Sequence, residues 1–300
     1  MASIFVQIPS YHDYEIGRTI KDAIKKSSGM HVINFGVHLT YYKNNDIDIP
    51  VADNINVIYS EAPDNIGLGL SRHIANEFYS GEDYYLQVDS HMRFAQNWDD
   101  VLIKNYLKYK SMGTNPAISS YPASYGYDEF NRTTLSTQLS VPYTDFIQDL
   151  SFQGSYVPHQ RAVTNMENNV FSRSVAGGSI FTSGDLASIK PNTKIFFWGE
   201  EILTALRLYT HGFDIMLPES QSIYHLYYDA DKGYKNLRRQ VSSDFPKESE
   251  DLEKISREEL KRIIVDKPIG DQELGSARSL EEYELFAGIS FIDKKIVKVL

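Results

Sequence analysis

Asp89 and His91 stand two residues apart, directly after the apolar run Tyr84-Tyr85-Leu86-Gln87-Val88. If that run is a strand, both side chains leave it on one face at its carboxyl end, because alternate residues of a strand share a face. A carboxylate oxygen and an imidazole nitrogen together suit a divalent transition metal better than calcium, which favours oxygen alone. The carboxyl ends of strands are also where open α/β sheets bind their ligands. Asp-x-His pairs arise often by chance, so the weight of this one rests on the segments around it.

Those segments alternate. Ile4 to Pro9 reads as a buried strand, Tyr14 to Lys26 as an amphipathic helix carrying Ile16, Ile20 and Ile24, and His31 to Leu39 and Ile55 to Tyr59 as strands. Leu68 to Tyr79 reads as a helix before the strand that ends at Asp89, and Asn97 is positioned to cap a helix over Trp98 to Lys110. Pro116 to Tyr121 follows as a strand. Alternation with short connections predicts an α/β fold with a mostly parallel central sheet flanked by helices on both faces. Pro122 to Leu150 loses the periodicity and reads as a long irregular excursion, of the kind that shapes a binding surface. Phe152 to Val157, Gly178 to Thr182 and Ile215 to Leu217 read as strands and Gly199 to His211 as a helix. Ser243 to Lys261 reads as a charge-rich, solvated helix or linker, and Ser279 to Phe286 as a closing helix. The expected organisation is a catalytic domain over residues 1–240 and a carboxyl-terminal extension over 241–300 packing on it.

Composition bounds the function. The 300 residues are 42% hydrophobic and 23% charged, with a net charge of -10. That size supports one large core. The acidic balance argues against an extended duplex nucleic-acid surface, which needs concentrated cations to neutralise phosphates. The chain has no cysteine, so disulfides and thiolate metal sites are excluded. No stretch approaches the roughly 20 apolar residues of a membrane helix, and the amino terminus carries no leader pattern; a cytoplasmic protein with no membrane partner is expected.

Four segments recur in order: Gly67-Leu68-Gly69-Leu70-Ser71-Arg72, Asp89-Ser90-His91-Met92-Arg93-Phe94, Ala176-Gly177-Gly178-Ser179-Ile180-Phe181 and Trp198-Gly199-Glu200-Glu201, with His225 after them in Ser222-Ile223-Tyr224-His225. From about Ile4 to Phe291 the series resembles nucleotide-sugar glycosyltransferases of the GT-A fold. It looks most similar to the cytosolic polypeptide N-acetylglucosaminyltransferases that modify hydroxyproline or other hydroxyl side chains. A more distant resemblance is to the polypeptide N-acetylgalactosaminyltransferases.

The resemblance implies that Asp89, His91 and His225 hold Mn²⁺ (or Mg²⁺) against the diphosphate of a UDP-sugar, with UDP-GlcNAc the favoured donor. It places Pro9, Ser10, Tyr11, Asn65, Arg72, Asp89, Ser90, Gly177 and Gly178 on the donor side, Tyr11 being available to stack on the base. It makes Trp198 a wall of the sugar site and puts Glu201, with Glu200 beside it, near the reacting carbon. Two positions depart from the relatives. An acid that often follows the second strand is replaced here by Val37-His38-Leu39-Thr40, and Glu200 stands where the galactosamine-transferring family has glycine.

The expected activity is therefore metal-dependent transfer of a sugar, N-acetylglucosamine by preference, from a UDP-sugar to a hydroxyl acceptor with retention of configuration. The acceptor could be a protein, a glycan or a hydroxymethylated nucleic-acid base. A hydrolase of UDP-sugars or a non-catalytic nucleotide-sugar binder are the other readings. Other chemistries lack their residues: Gly67-x-Gly69 has no third glycine at dinucleotide-binding spacing, no Gly-Lys-Ser or Gly-Lys-Thr follows, and no Gly-x-Ser-x-Gly elbow is present. The glycine- and lysine-rich first loop of a nucleotidyltransferase is missing from Ile8-Pro9-Ser10-Tyr11-His12.

Overall fold

The computed structural model describes residues 1–41, 47–61, 66–136, 143–146, 156–163, 170–227 and 246–297. Its first half follows the expected alternation: β1 (Ser3–Tyr11), α1 (Ile16–Lys26), β2 (Val32–Tyr41), β3 (Ile55–Glu61), α2 (Gly67–Asn76), β4 (Tyr84–Val88), β5 (Met92–Phe94), α3 (Trp98–Ser111) and β6 (Pro116–Ser119). The second half adds β7 (Ala123–Tyr127), β8 (Thr133–Leu135), β9 (Tyr143–Phe146), β10 (Gln160–Val163), β11 (Ser179–Ser183), α4 (Glu200–Thr210), β12 (Asp214–Met216), β13 (Ile223–His225), α5 (Pro246–Asp266) and α6 (Leu280–Ala287).

The central sheet has seven strands in the order β12-β6-β11-β4-β1-β2-β3. All neighbours run parallel except β11, which is antiparallel to both β4 and β6. Both faces are covered, which explains why these strands read as near-continuous apolar runs. Phe5, Tyr85 and Ile180 face one cluster with Leu203 and Leu206 of α4. Ile4, Val6, Ile8, Leu86, Val88 and Phe181 face another, closed by Ile16 and Ile20 of α1 and Trp98, Leu102 and Tyr106 of α3.

A second, four-stranded sheet, β5-β13-β7-β8, stands at the carboxyl end of β4. It corrects the reading of Pro122 to Leu150 as irregular: β7 and β8 lie in that stretch, paired with each other and, through β7, with β13 about 100 residues away. Strands of three to five residues whose partners are remote leave almost no periodic signal. Asn97 is also not a side-chain cap. It takes the left-handed conformation (φ 59°) and makes no cap hydrogen bond. Of the strand expected over Phe152 to Val157, residues 152–155 lie outside those described, and Tyr156 and Val157 are not in a strand.

The charged segment after residue 243 is a helix from Pro246, α5, and it is not solvated all round as its charge implies: Ser256, Glu259 and Leu260 are buried on one face. Leu260, Ile263 and Ile264 of α5 and Leu280 and Tyr283 of α6 enter the same core cluster as α4. Arg207 of α4 ties this region down by donating to the carbonyls of Lys190 and Asp271 (2.6 Å each) and Glu273 (3.1 Å). Helix α6 begins with a capping box between Ser279 and Glu282. Among the described residues no helix is long and apolar enough to cross a membrane.

Candidate active site

Backbone pairing, not proximity in sequence, assembles the site. Strand β4 ends at Val88, so Asp89, Ser90 and His91 form the turn into β5, which leaves the central sheet for the second one. There β5 pairs antiparallel with β13, Met92 opposite His225. The amide of Leu226 donates to the carbonyl of His91 (3.1 Å), locking the end of β13 against the turn. As a result, Asp89 Oδ2 lies 3.5 Å from His225 Nε2, and His91 Nε2 lies 3.0 Å from the same nitrogen. One ligand atom from each of the three residues falls within 4.8 Å of the others. One carboxylate oxygen and two imidazole nitrogens converging at this range fit a divalent cation.

The groups behind this cluster hold it in place. Arg72 of α2 is buried; its Nη2 donates to Asp89 Oδ1 (3.3 Å) and to the Gly177 carbonyl (2.9 Å), and its Nε faces Glu200 Oε1 at 3.2 Å. Gln7 of β1 accepts from Arg72 Nη1 (3.5 Å) and donates to the Arg72 carbonyl (2.7 Å). Burial by itself would raise the Asp89 carboxyl, but the His225 hydrogen bond and the Arg72, His91 and His225 charges hold it well below the usual carboxylate range. Asp89 is thus kept ionised.

Gly177 and Gly178 sit where β11 begins beside the end of β4, Ser179 facing Val88. A Cβ on Gly178 would meet Asp89 Oδ2 at 2.3 Å, and one on Gly177 would meet Glu200 Oε2 at 2.3 Å. The missing side chains make room for two carboxylates, a protein-packing demand that motif reading does not disclose. Gly67 and Gly69 play a similar part: side chains there would strike Phe196 and the Asn192 carbonyl, so they let α2 pack against the 192–196 segment.

All of this opens into one cleft of about 1880 Å³. Pro9, Ser10 and Tyr11 line it from the end of β1, with Arg72, Asp89, Ser90, His91, Gly177, Gly178, Trp198, Glu200, Glu201 and His225. Every expected site residue is therefore in one place except Asn65, which lies outside the described residues.

Residues 44–293 match the family model described as Glycosyltransferase (GlcNAc). The chain belongs to that family. A comparison with curated protein sequences finds no match. Among solved structures, the chain is similar to GalNAc-T7, a crystal structure with UDP, GalNAc and Mn²⁺, at 13% identity and a TM-score of 0.52. The match covers 97% of this chain and 56% of that one, so the chain spans a little over half the length of that relative. HddC from Yersinia pseudotuberculosis matches at 11% identity over 82% of this chain and 100% of its own, with a TM-score of 0.38, too low to bear on the fold. The fold is GT-A.

The Trp198-Gly199-Glu200-Glu201 segment opens α4. Gly199 has φ 88°, a conformation that side chains disfavour, and its open Cα faces Leu260 of α5. Glu201 accepts from the Gly177 amide (2.9 Å), the Tyr121 hydroxyl (3.0 Å) and the Gln160 amide. Burial pushes Glu201 up, with those three hydrogen bonds opposing. Burial pushes Glu200 up to about 7; Arg72 opposes this while Glu201 and Asp89 add to it. The Trp198 ring meets His159 edge-on at 5.1 Å, and its amide lies 3.4 Å from Glu253 of α5.

Two residues were not anticipated. Gln160 of β10 serves Glu201, yet no sequence feature marks it. Asp13, in the turn from β1 to α1, accepts from His91 Nδ1 at 2.6 Å and from Ser90 Oγ at 2.5 Å. Burial raises the Asp13 carboxyl, but bonds from His91, Ser90 and the Glu15 amide outweigh it and leave it below its ordinary value. His38 is fully buried between Ser71 and Ser60 hydroxyls, each 2.8 Å away, and burial lowers it to about 4. Thr40, two residues on, reaches the cleft.

Proposed function

We propose that this protein transfers N-acetylglucosamine from UDP-GlcNAc to a hydroxyl acceptor, with a divalent cation, Mn²⁺ or Mg²⁺, held by Asp89, His91 and His225. The observation that carries the reading is the meeting of those three side chains in the cleft beside Arg72. The family description, which names GlcNAc, and the UDP and Mn²⁺ of GalNAc-T7 support it. When bound, such a cation supplies charge neutralisation for the diphosphate and for the growing negative charge on departing UDP.

The chain's own residues do the positioning. Arg72 fixes Asp89 and so serves as a brace for the ligand set, since its guanidinium is already engaged by Asp89, Gly177, Gln7 and Glu200. Pro9, Ser10 and Tyr11 line the uridine side, with Tyr11 offering a ring to the base. Gly177, held between Arg72 and Glu201, presents its backbone to the sugar. Trp198 walls the sugar site. Glu201 is ordered by three donors, which favours it as a fixed charge or hydrogen-bond acceptor near the reacting carbon. Retention follows the family resemblance, and catalysis then rests mainly on orientation. The acceptor is a hydroxyl of a protein in the favoured reading, in the cytoplasm, and a glycan or modified base in the alternative. Residues 241–300 work with 1–240 as one unit, consistent with α5 packing beneath Gly199 and reaching Trp198.

The deciding experiment measures UDP release from UDP-GlcNAc with and without Mn²⁺ and a panel of hydroxyl acceptors. Release that needs both cation and acceptor is expected. Equal release without acceptor means a hydrolase, and binding with no release means a nucleotide-sugar binder.

A further inference from the structure

We propose that Asp13 is a positioning residue that fixes the tautomer of His91 so that its Nε2 lone pair faces the cation site. The inference rests on the metal reading above. Asp13 lies in the turn between β1 and α1, far from the ligands in sequence, and is 2% exposed. Its Oδ2 accepts from His91 Nδ1 at 2.6 Å, and its Oδ1 accepts from the Glu15 amide at 2.8 Å. A carboxylate can only accept, so the imidazole proton must sit on Nδ1. In the neutral imidazole the opposite nitrogen, Nε2, is then the one without a proton, and it faces His225 Nε2 at 3.0 Å.

Asp13 also serves Ser90 Oγ at 2.5 Å, so one carboxylate grips two consecutive residues of the β4–β5 turn. Thr19 of α1 adds a second clamp, its hydroxyl donating to the Ser90 carbonyl at 2.7 Å and accepting from the Met92 amide at 2.9 Å. The turn is thus held by the β1–α1 region from below, and Asp13 is the member of that clamp that touches a ligand ring. Carboxylates behind metal-bound histidines set ring orientation and raise ligand basicity, and losing one lowers metal affinity by roughly 10–100-fold.

Two measurements test this. The long-range ¹H–¹⁵N spectrum of the metal-free wild-type imidazoles, with His91 assigned by its loss in His91→Gln, should show His91 protonated on Nδ1. A neutral ring protonated on Nε2 with Nδ1 bare overturns the proposal whether or not any variant folds. Mn²⁺ affinity, read by the decline of the free-ion paramagnetic resonance signal, should fall about tenfold in Asp13→Asn, which keeps an acceptor without the charge. It should fall further, towards about 100-fold, in Asp13→Ala. Wild-type affinity in both variants, with melting temperatures near wild type, also overturns it. Nδ1 protonation together with no Mn²⁺ binding by the wild type would instead sink the metal reading, leaving the ring orientation standing.

Discussion

Asp89 Oδ2 occupies the space in which a side chain on Gly178 would begin, 2.3 Å from the ideal Cβ position. Gly178 does not adopt a positive φ, so its backbone would accept alanine and the conflict is with the carboxylate alone. That carboxylate is held by Arg72 and His225 and can move only by breaking those contacts. Gly178→Ala should therefore fold normally and lose Mn²⁺ affinity by about tenfold or more, the range seen when a ligand's support is disturbed. Titration of the variant against wild type checks it; equal affinities would mean that Asp89 is not the ligand.

Gly199 poses the opposite case. Its φ of 88° strains any side chain, and a Cβ would lie 2.3 Å from Leu260 Cδ1. Gly199→Ala should cost about 2–4 kcal/mol, combining left-handed strain with overpacking. Urea unfolding reads this directly. A loss below about 0.5 kcal/mol, the ordinary scatter of surface changes, would show that α5 does not rest on the start of α4.

Glu201→Gln keeps an oxygen for the Gly177 amide but turns an amide donor towards Tyr121 and Gln160. Transfer should slow about 100-fold, a typical loss for one preorganised electrostatic group, while the dissociation constant for UDP stays within about threefold. Single-turnover rates and UDP titration separate the two effects. Unchanged turnover would remove Glu201 from the reacting centre.

His38 gives a stability signature in pH. Its folded value of about 4 lies below the ordinary 6.5, so the unfolded chain binds the extra proton first. Its contribution is complete above about 6.5 and is lost as pH falls through about 4, a difference of about 3 kcal/mol. Glu200, raised to about 7, acts in the reverse sense, lowering stability as pH rises from its ordinary 4.5. The test is therefore the difference between wild type and His38→Gln in urea unfolding from pH 7 to 4. Wild type should lose stability relative to the variant on acidification; parallel curves would mean that His38 titrates normally.

The parts of this fold that were legible in sequence are those whose signal is local. Strands β1, β2 and β4 are buried on both faces and read as apolar runs, and Asp89, His91 and Glu201 sit at element ends that the pattern locates. His225 was legible only through the order of motifs, because its approach depends on β13 pairing with β5. Asp13 and Gln160 gave no signal, since each acts on a residue brought near by remote pairing. The roles of Gly177 and Gly178 were only half visible: glycine signals close approach, but the structure shows that Glu200 and Asp89 are the groups that approach. Arg72 lines the cleft, as its helix position beside the Asp89 strand suggests, while its burial and its four protein partners could not be read from that position.

Manganese binding to the metal-free protein, followed by paramagnetic resonance for wild type, Asp89→Ala and His225→Ala, bears most directly on the central proposal. Wild type should take up one equivalent, and each variant should bind more than about 100-fold more weakly, since even the groups behind metal ligands are worth about 10–100-fold. Wild-type affinity in folded His225→Ala would show that the third side chain is not a ligand and would overturn the site as drawn.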